Sequence, residues 1–237
     1  MALTVQDVID SARTTLMDPL GVRWTDAELI SYLNGAALQA VLLKPDCNPS
    51  TVPFTCVAGV EQNFSQIGGV GGPQVAALLD VVSCMGSVEV EPEQFEDRHY
   101  PVTYIKRNVL DMERQGWRDD TQRPMITYYM YNPKQRDIFY VYPPAVVDTE
   151  IEIVVSLTPT LVSVVGDNIA LQDIYFPSLV NYVLWKAFSK DSDFSGNMNL
   201  ASGYYGAFVQ GLTGKLAAEN VEFPDRNIPP QVIEAID

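Results

Sequence analysis

The spacing of apolar residues changes twice along this chain of 237 residues. Apolar side chains recur at helical spacing up to about residue 47 and again after about residue 165, while short runs rich in Val, Ile, Thr and Tyr fill the middle. Amphipathic helices must bury their apolar faces, and each terminal pair is the simplest partner for the other. We therefore predict an α+β fold with a helical bundle built from N- and C-terminal helices (1–47 and 165–220), an inserted β-rich domain (48–164) and an extended C-terminal arm (221–237).

Capping signals set the starts of the two N-terminal helices. Thr4 with Asp7, and Thr25 with Glu28, have the spacing at which a Thr side chain caps the first helical turn and an acid bonds back to the backbone. Trp24, just before the second cap, is expected to pack as a hydrophobic staple. The sequence thus predicts two helices joined by a short connection.

The C-terminal pair of helices carries weaker signals. Asp173 is expected to cap a helix with Pro177 in its first turn, where the missing N–H has no intrahelical partner to lose. Glycines in the last helix are each about 1 kcal/mol less favourable than Ala, so this helix needs tight packing or a partner. They are Gly203, Gly206, Gly211 and Gly214.

Five runs in the middle of the chain have the composition of strands: VPFTCVAGV, LLDVVSCM, MITYYMY, DIFYVYPP and EIEIVVSLTP. Residues 132–137, between two tyrosine-rich runs, predict a hairpin loop. One helix interrupts the strands near residues 103–117, where Ile105, Val109 and Met112 fall on one stripe.

Charge and composition disfavour several classes of protein. Thirty Asp and Glu against 15 Lys and Arg give a formal charge of −15, which disfavours a protein that grips DNA over its whole surface. One histidine and three cysteines without CxxC spacing signal neither a zinc site nor a disulfide framework, so reduced, buried thiols are expected. No run approaches the roughly 18 apolar residues that span a bilayer, and the N-terminus lacks the layout of a signal peptide, so no membrane contact is expected.

Several patterns suggest chemistry, and each has a plainer explanation. DSDFSGNMN matches the first ligands of an EF-hand calcium loop, but Ser202 stands where a bidentate Glu is needed, which favours an ordinary turn. The glycines of IGGVGGP lack the Gly-Lys-Ser/Thr ending of a phosphate loop, which favours a flexible loop. His99 has no nucleophile near it in the sequence, and its charged neighbours predict a surface loop. We expect no catalytic residue, no metal site and no cofactor.

Basic residues are concentrated in one part of the sequence. Seven of them lie between Lys106 and Arg136 against four acids, while the rest of the chain holds eight basic and 26 acidic residues. This basic segment can pair with the acidic face of a neighbouring copy in a ring-forming contact, or it can face DNA. An ordinary fluctuation of surface charge also explains it. The seven residues are Lys106, Arg107, Arg114, Arg118, Arg123, Lys134 and Arg136.

The C-terminal block DIYFPSLVNYVLWKAFSKDSDFSGNMNLASGYYGAFVQGL resembles the head-to-tail adaptor (connector) proteins of tailed bacteriophages. In that family a helix with Pro near its start and a Leu/Val–Tyr–Leu–Ala–Lys-Asp progression precedes a polar turn and a second helix with Ala, Tyr-Tyr and Phe. The N-terminal WTDAELISYLN is similar to the opening of the same family. The matching residues are Pro177, Leu179, Tyr182, Leu184, Ala187, Lys190, Asp191, Ala201, Tyr204, Tyr205 and Phe208.

The resemblance implies a structural virion protein with no catalytic residues. It implies a dodecameric ring that binds beneath the portal protein after genome packaging, provides the docking site for the tail tube or nozzle, and lets double-stranded DNA pass. Such a protein is assembled in the host cytoplasm and resides at the head–tail interface of the virion. It also implies that the C-terminal arm reaches into the portal or a neighbouring subunit. The arm residues expected to bind are Phe223, Pro224, Ile228, Pro229, Pro230, Val232 and Ile233.

Two other functions stay open on the sequence alone. Another phage tail-completion or assembly factor has the same combination of helices and strands. A carboxylate-dependent hydrolase requires two acids that face each other in a deep pocket.

Overall fold

The computed structural model describes residues 3–64, 67, 74–91, 94–190 and 195–222. The chain divides into two compact units, one made of the residues up to Asn48 and from Pro159 onward, the other of Pro49–Thr158. Among the described residues, the first unit holds the helices from both ends and the second holds two four-stranded sheets. This confirms the predicted α+β class with terminal helices and a β-rich middle. The glycine loop (68–73) and the arm from residue 223 onward lie outside the described residues.

Four of the described α-helices make up the first unit, and one of them contributes most to their packing. They are α1 (Val5–Leu16), α2 (Asp26–Leu43), α4 (Phe176–Lys190) and α5 (Ser195–Glu222), while the short α3 (Arg107–Glu113) belongs to the second unit. Because α4 packs against α1, α2 and α5, its residues Leu179, Val183 and Ala187 are at most 1% exposed. The terminal helices therefore bury their apolar stripes against one another, as predicted. The helix α5 extends to Glu222, beyond the predicted start of the arm at 221.

Both predicted N-terminal caps are confirmed. The backbone N–H of Asp7 donates to the Thr4 hydroxyl at 3.3 Å, and the Asp7 carboxylate accepts the Thr4 N–H at 3.0 Å. Thr25 also caps α2, since its hydroxyl accepts the N–H of Glu28 at 3.4 Å. The predicted return bond from the acid is wrong here, because the Glu28 carboxylate instead accepts the Tyr32 hydroxyl at 2.6 Å and the Lys190 ammonium at 2.8 Å. Trp24 is 6% exposed, in agreement with its predicted packing before the cap.

The predicted cap at Asp173 is wrong. Its carboxylate accepts the backbone N–H of Leu3 at 3.2 Å and is therefore bound to the N-terminal segment rather than to its own helix. A short 3-10 turn, Asp173–Tyr175, leads directly into α4. Pro177 is the second residue of α4, within the first turn as expected.

Eight strands form the two sheets in the described part of the second unit. One sheet has the order β1-β8-β3-β4 and the other β2-β7-β6-β5, and all neighbouring strands are antiparallel except β5 and β6. Residues 132–137 connect β6 to β7, which confirms the predicted hairpin loop. The strands are β1 (Pro49–Thr55), β2 (Gly59–Asn63), β3 (Val75–Glu91), β4 (Gln94–Pro101), β5 (Thr103–Tyr104), β6 (Tyr128–Tyr131), β7 (Ile138–Ala145) and β8 (Glu150–Leu157).

The core of the second unit lies between its two sheets. In β8 every second side chain points inward, so Ile151, Ile153 and Val155 are at most 1% exposed. Phe139 of β7 enters the same core from the other sheet, and its ring centre lies 5.4 Å from that of Phe54 in β1. Burial of both inner faces fixes the register of the strands, because a slip by one residue would turn each apolar set outward.

The helix predicted near residues 103–117 is shorter than expected. Thr103 and Tyr104 form β5 instead, because the N–H of Thr103 donates to the Thr127 carbonyl at 2.9 Å and the residues pair with β6. Only Arg107–Glu113 is helical. The predicted stripe is wrong at Met112, which is 81% exposed.

The second unit ends at Thr158, earlier than the boundary predicted at residue 164. The side chain of Asn34 in α2 explains the difference. It donates to the Val162 carbonyl and accepts the Val162 N–H, both at 2.9 Å, and so holds this segment to the helical unit.

Candidate interaction surfaces

The basic segment lies on the surface of the second unit, and all seven of its cationic residues are exposed. Three of them stack on aromatic rings of a small apolar cluster whose centre, Trp117, is 1% exposed. Stacking of this kind fixes the direction of a guanidinium group while leaving its N–H groups available to a partner. The guanidinium carbons of Arg107, Arg114 and Arg118 lie 5.2, 5.9 and 4.5 Å from the ring centres of Tyr140, Tyr142 and Trp117.

Asp111 of α3 connects two of these arginines to the buried tryptophan. The indole N–H of Trp117 donates to its carboxylate at 2.8 Å, and Arg118 and Arg107 approach the same carboxylate at 3.3 and 3.6 Å. The bond from Trp117, followed by the two positive charges, holds the pKa of Asp111 below its ordinary value. Asp111 therefore stays ionised and balances part of the positive charge of this surface.

Arg114 forms a short ion pair within its own unit. Its Nε lies 2.7 Å from a carboxylate oxygen of Asp120, and the hydroxyl of Tyr142 donates to the same oxygen at 3.0 Å. Burial, with the neighbouring carboxylate, raises the pKa of Tyr142, which keeps the hydroxyl protonated as a donor. The Arg114 guanidinium therefore stabilises its own unit and is less available to an external partner than the cations of the segment that form no ion pair with a described residue.

The remaining cations of the segment form no ion pair with any described residue: Lys106, Arg123, Lys134 and Arg136. The backbone of Arg123 pairs with the end of β7, where its N–H donates to the Pro144 carbonyl at 2.8 Å. Lys134 and Arg136 lie in the hairpin loop before β7. The segment thus presents positive charge that its own unit does not balance.

A recess of about 330 Å³ opens beside this loop, and we call it the basic recess. Its walls combine two cationic side chains with three amide side chains, all of which donate hydrogen bonds. None of the described residues that line it is an Asp or a Glu, although acids outnumber bases twofold in the chain. Its lining includes Lys106, Arg107, Asn108, Asn132, Gln135 and Tyr140.

A second recess, of about 420 Å³, lies beside the turn that joins β7 to β8. This acidic turn (residues 146–150) carries Asp148 and Glu150, neither of which forms an ion pair with another described residue. Asp148 has a positive φ of 63°, and Val147 beside it is 59% exposed. The sequence did not indicate this surface, because single acids next to a strand are common on solvated faces.

The loop between α1 and α2 exposes three large apolar side chains, Met17, Leu20 and Val22, each by more than 80%. Asp18 fixes the loop from inside, since its carboxylate accepts the backbone N–H groups of Val22, Arg23 and Trp24, each at 2.9 Å. These bonds, that from Trp24 before the other two, lower the pKa of Asp18. The sequence predicted only a short connection here, and the exposure of these side chains was not foreseen.

His99 lies in strand β4 and not in the predicted surface loop, although its side chain is exposed as expected. Its Nδ1 is 3.1 Å from the hydroxyl of Ser83 in the adjacent strand β3. Ser83 is only 5% exposed, and neither residue lines either recess. We therefore interpret the contact between Ser83 and His99 as a hydrogen bond that joins the two strands.

Burial protects all three thiols from ionisation. Cys47, Cys56 and Cys84 are free and buried, and burial raises the pKa of Cys47 and of Cys56 to about 12. Among the described residues, no group of three or more His, Cys, Asp and Glu is arranged to hold a metal ion.

Two segments considered in the sequence analysis fall at least partly outside the described residues. These are the arm residues Phe223, Pro224, Ile228, Pro229, Pro230, Val232 and Ile233, and residues 191–194 of the turn that matches part of a calcium loop.

The described residues thus form two buried cores, with exposed charged and apolar side chains available for contacts with other molecules. A family model described as SU10 adaptor protein matches residues 3–229. The chain belongs to this family, and is therefore a phage adaptor protein. The match covers both helical ends and the β-rich middle, and it confirms the resemblance noted in the sequence.

Membership of the family implies contacts with phage portal and tail proteins and a place in the virion. No curated protein sequence is similar enough to the chain to count as a match. None of the described helices is both long and apolar enough to cross a membrane.

Proposed function

We propose that this adaptor forms a ring, dodecameric as the family resemblance implies, between the portal and the tail tube or nozzle, with the genome passing through its channel. The observation that carries the proposal is the family match over residues 3–229, which includes every described element. The net charge of −15 supports the channel, because an acidic wall repels phosphate and leaves the duplex free to slide. Assembly takes place in the host cytoplasm before the ring becomes part of the virion.

Within the ring, the basic segment faces either a neighbouring copy or DNA, and the arm from residue 223 onward binds the portal or a neighbouring subunit. The unbalanced cations Lys106, Arg123, Lys134 and Arg136 support the role of the segment. The apolar residues of the arm, from Phe223 to Ile233, support the binding role of the arm, since apolar side chains gain free energy when they are buried against a partner.

The protein acts without catalysis and without a cofactor. A hydrolase is the alternative function, and the pair of Ser83 and His99 is its best candidate. The hydroxyl of Ser83 is buried, whereas a nucleophile must reach its substrate. No described side chain orients the His99 ring from its other nitrogen, as a third group must in such a site.

The experiment that tests the proposal mixes the purified chain with the portal oligomer of the same phage and images the product by electron microscopy. We expect a ring of the chain on one end of the portal, and co-purification with portal rather than with tail-end proteins. An adaptor that co-purifies only with tail-end proteins is a tail-completion factor instead. A chain that binds neither contradicts the proposal.

Removal of residues 223–237 tests the role of the arm. We expect the shortened chain to unfold at the same temperature as the full chain, because its helices and sheets are retained. Assembly on the portal should weaken by at least about tenfold, which corresponds to about 1.4 kcal/mol. Undiminished assembly of the shortened chain contradicts this role.

A further inference from the structure

Two surfaces of opposite charge lie at opposite ends of strand β7. The basic recess includes Asn132 and Gln135 of the loop that precedes β7, and the acidic turn follows its last residue, Ala145. Tyr140 of β7 still lines the basic recess, so the two surfaces are separated by about 17 Å of strand, from Tyr140 to Ala145. A strand inside a sheet does not fold back on itself, so the two surfaces meet only between different copies of the chain.

We propose that the basic recess of one copy binds the acidic turn of the next copy. The inference rests on the proposed ring and names the contact that builds it. Because the two surfaces differ, the contact is head-to-tail: each copy uses its recess toward one neighbour and its turn toward the other. Repetition of a head-to-tail contact generates a ring when the rotation closes.

The hydrogen-bonding groups of the two surfaces are complementary. Lys106 has no ion pair within the described residues, and Arg107 has only the 3.6 Å approach of Asp111. The carboxylates of Asp148 and Glu150 are acceptors that form no ion pair with the described residues of their own copy. Charge-assisted bonds between such groups are about twice as strong as neutral ones.

Apolar contact surrounds these charges. Val147 at the tip of the acidic turn is 59% exposed, and Tyr104 on the wall of the basic recess is 49% exposed. A recess of about 330 Å³ is large enough for the side chains of a turn and too small for a whole helix or strand. An acidic turn with one apolar side chain therefore fits both the size and the chemistry of the recess.

DNA fits the recess less well. Phosphates are contacted by cations that project along the duplex, whereas the side chains of Lys106 and Arg107 line a concave recess with aromatic and amide walls. The 26 acids outside the basic segment repel the duplex but attract the recess of another copy.

The contact is tested by charge reversal in the basic recess, in the acidic turn, and in both together. We expect Lys106→Glu and Glu150→Lys each to weaken self-association at low salt by at least about tenfold, measured by sedimentation equilibrium. The double variant should regain most of the affinity, because the charges are exchanged and not lost. Lys134→Glu is the matched control: it makes the same charge change within the basic segment but outside the lining of the recess, so a contact through the recess predicts that this variant associates as the unmodified chain does. Thermal unfolding verifies that all variants fold.

Cross-linking identifies the partner directly. A carbodiimide that joins amines to carboxylates, applied to a mixture of ¹⁵N-labelled and unlabelled chains, should link Lys106 of one copy to Asp148 or Glu150 of another. Links of Lys106 to other acids, or equal losses of association in the Lys106 and Lys134 variants, overturn the inference. So does a chain that stays monomeric at all concentrations in low salt.

Two separate measurements distinguish this inference from the proposed function. If Lys106→Glu lowers binding of a duplex oligonucleotide but leaves self-association unchanged, the recess faces DNA and the inference is overturned. If the unmodified chain self-associates through the recess but does not bind portal, the inference stands and the proposed function fails.

Discussion

Gly211 of α5 lies directly against the hydroxyl group of Ser178 in α4. A methyl group at position 211 would overlap the Ser178 oxygen, and Ser178 itself is 5% exposed. The glycine therefore permits the close approach of the two helices. Gly203 and Gly206 of the same helix have open space around them, so their small size is not required by packing within the described residues.

Gly211→Ala is expected to destabilise the protein by about 1–3 kcal/mol, because it overpacks the contact between α4 and α5. In a Ser178→Ala background the overlapping oxygen is gone, and the same change should become neutral or stabilise by up to about 1 kcal/mol through helix propensity. Gly203→Ala is the control, with an expected gain of up to about 1 kcal/mol. Urea unfolding of the four variants measures these differences; a loss at 211 that persists without the Ser178 hydroxyl would contradict the steric explanation.

The helix starts could be predicted because their signals are local. Thr4 and Thr25 each cap a helix with the hydroxyl accepting the backbone N–H three residues later, a bond that lies within one turn of the chain. Asp173 carries the same kind of signal and was assigned wrongly, because its carboxylate is bound by Leu3, which is distant in sequence. The shortened α3 has the same cause: β6 takes Thr103 and Tyr104 into a sheet that helical periodicity does not reveal.

The candidate surfaces could be predicted only in part, for a related reason. The charges along the sequence predict the basic segment, but they do not reveal that Arg114 is bound by Asp120 while Lys106 forms no ion pair with any described residue. The sequence also gave no reason to connect the segment with Glu150, which lies beyond the next strand. Whether a charge is paired depends on its distance from charges on other helices and strands. A count of charges along the sequence does not contain these distances.

The loop held by Asp18 gives the protein a predictable response to acid. Hydrogen bonds from three backbone N–H groups lower the pKa of Asp18 from its ordinary value of 3.8, so its contribution to stability is complete above that pH and is lost as the pH falls through the lowered value. Asp18→Asn should therefore unfold at a lower temperature than the unmodified chain at pH 7, with a difference that narrows toward pH 2. Calorimetry across this range measures the effect. Asp10→Asn serves as control, since among the described residues that exposed carboxylate accepts a hydrogen bond only from the Gln6 side chain. An equal change in unfolding temperature in both variants would contradict the role of the bonds between Asp18 and the loop.

Trp117 supports the surface that carries the arginines. Trp117→Phe removes the indole donor and part of a side chain that is 1% exposed, and the lost packing should destabilise the protein by about 1–3 kcal/mol. The pKa of Asp111 should rise toward its ordinary value, because the bond from Trp117 is the main cause of its lowering. NMR titration of the Asp111 carboxyl carbon detects this rise. Arg118→Ala, which removes one of the weaker causes, should produce a smaller rise, and the reverse order would contradict the assigned hydrogen bond.

The three thiols should not react in the folded protein even at pH 8, where an exposed cysteine is partly ionised and reacts with alkylating reagents. Burial raises the pKa of Cys47 and Cys56 to about 12 and that of Cys84 in the same direction, so at pH 8 all three remain protonated and out of reach of a reagent. Modification by iodoacetamide at pH 8, followed by mass spectrometry, should be at least about a hundredfold slower in the native protein than in denaturant, where all three cysteines react. The N–H of Ile126 also donates to the Cys84 sulfur at 3.4 Å. Rapid labelling of a single cysteine in the native chain would show that its part of the core opens readily.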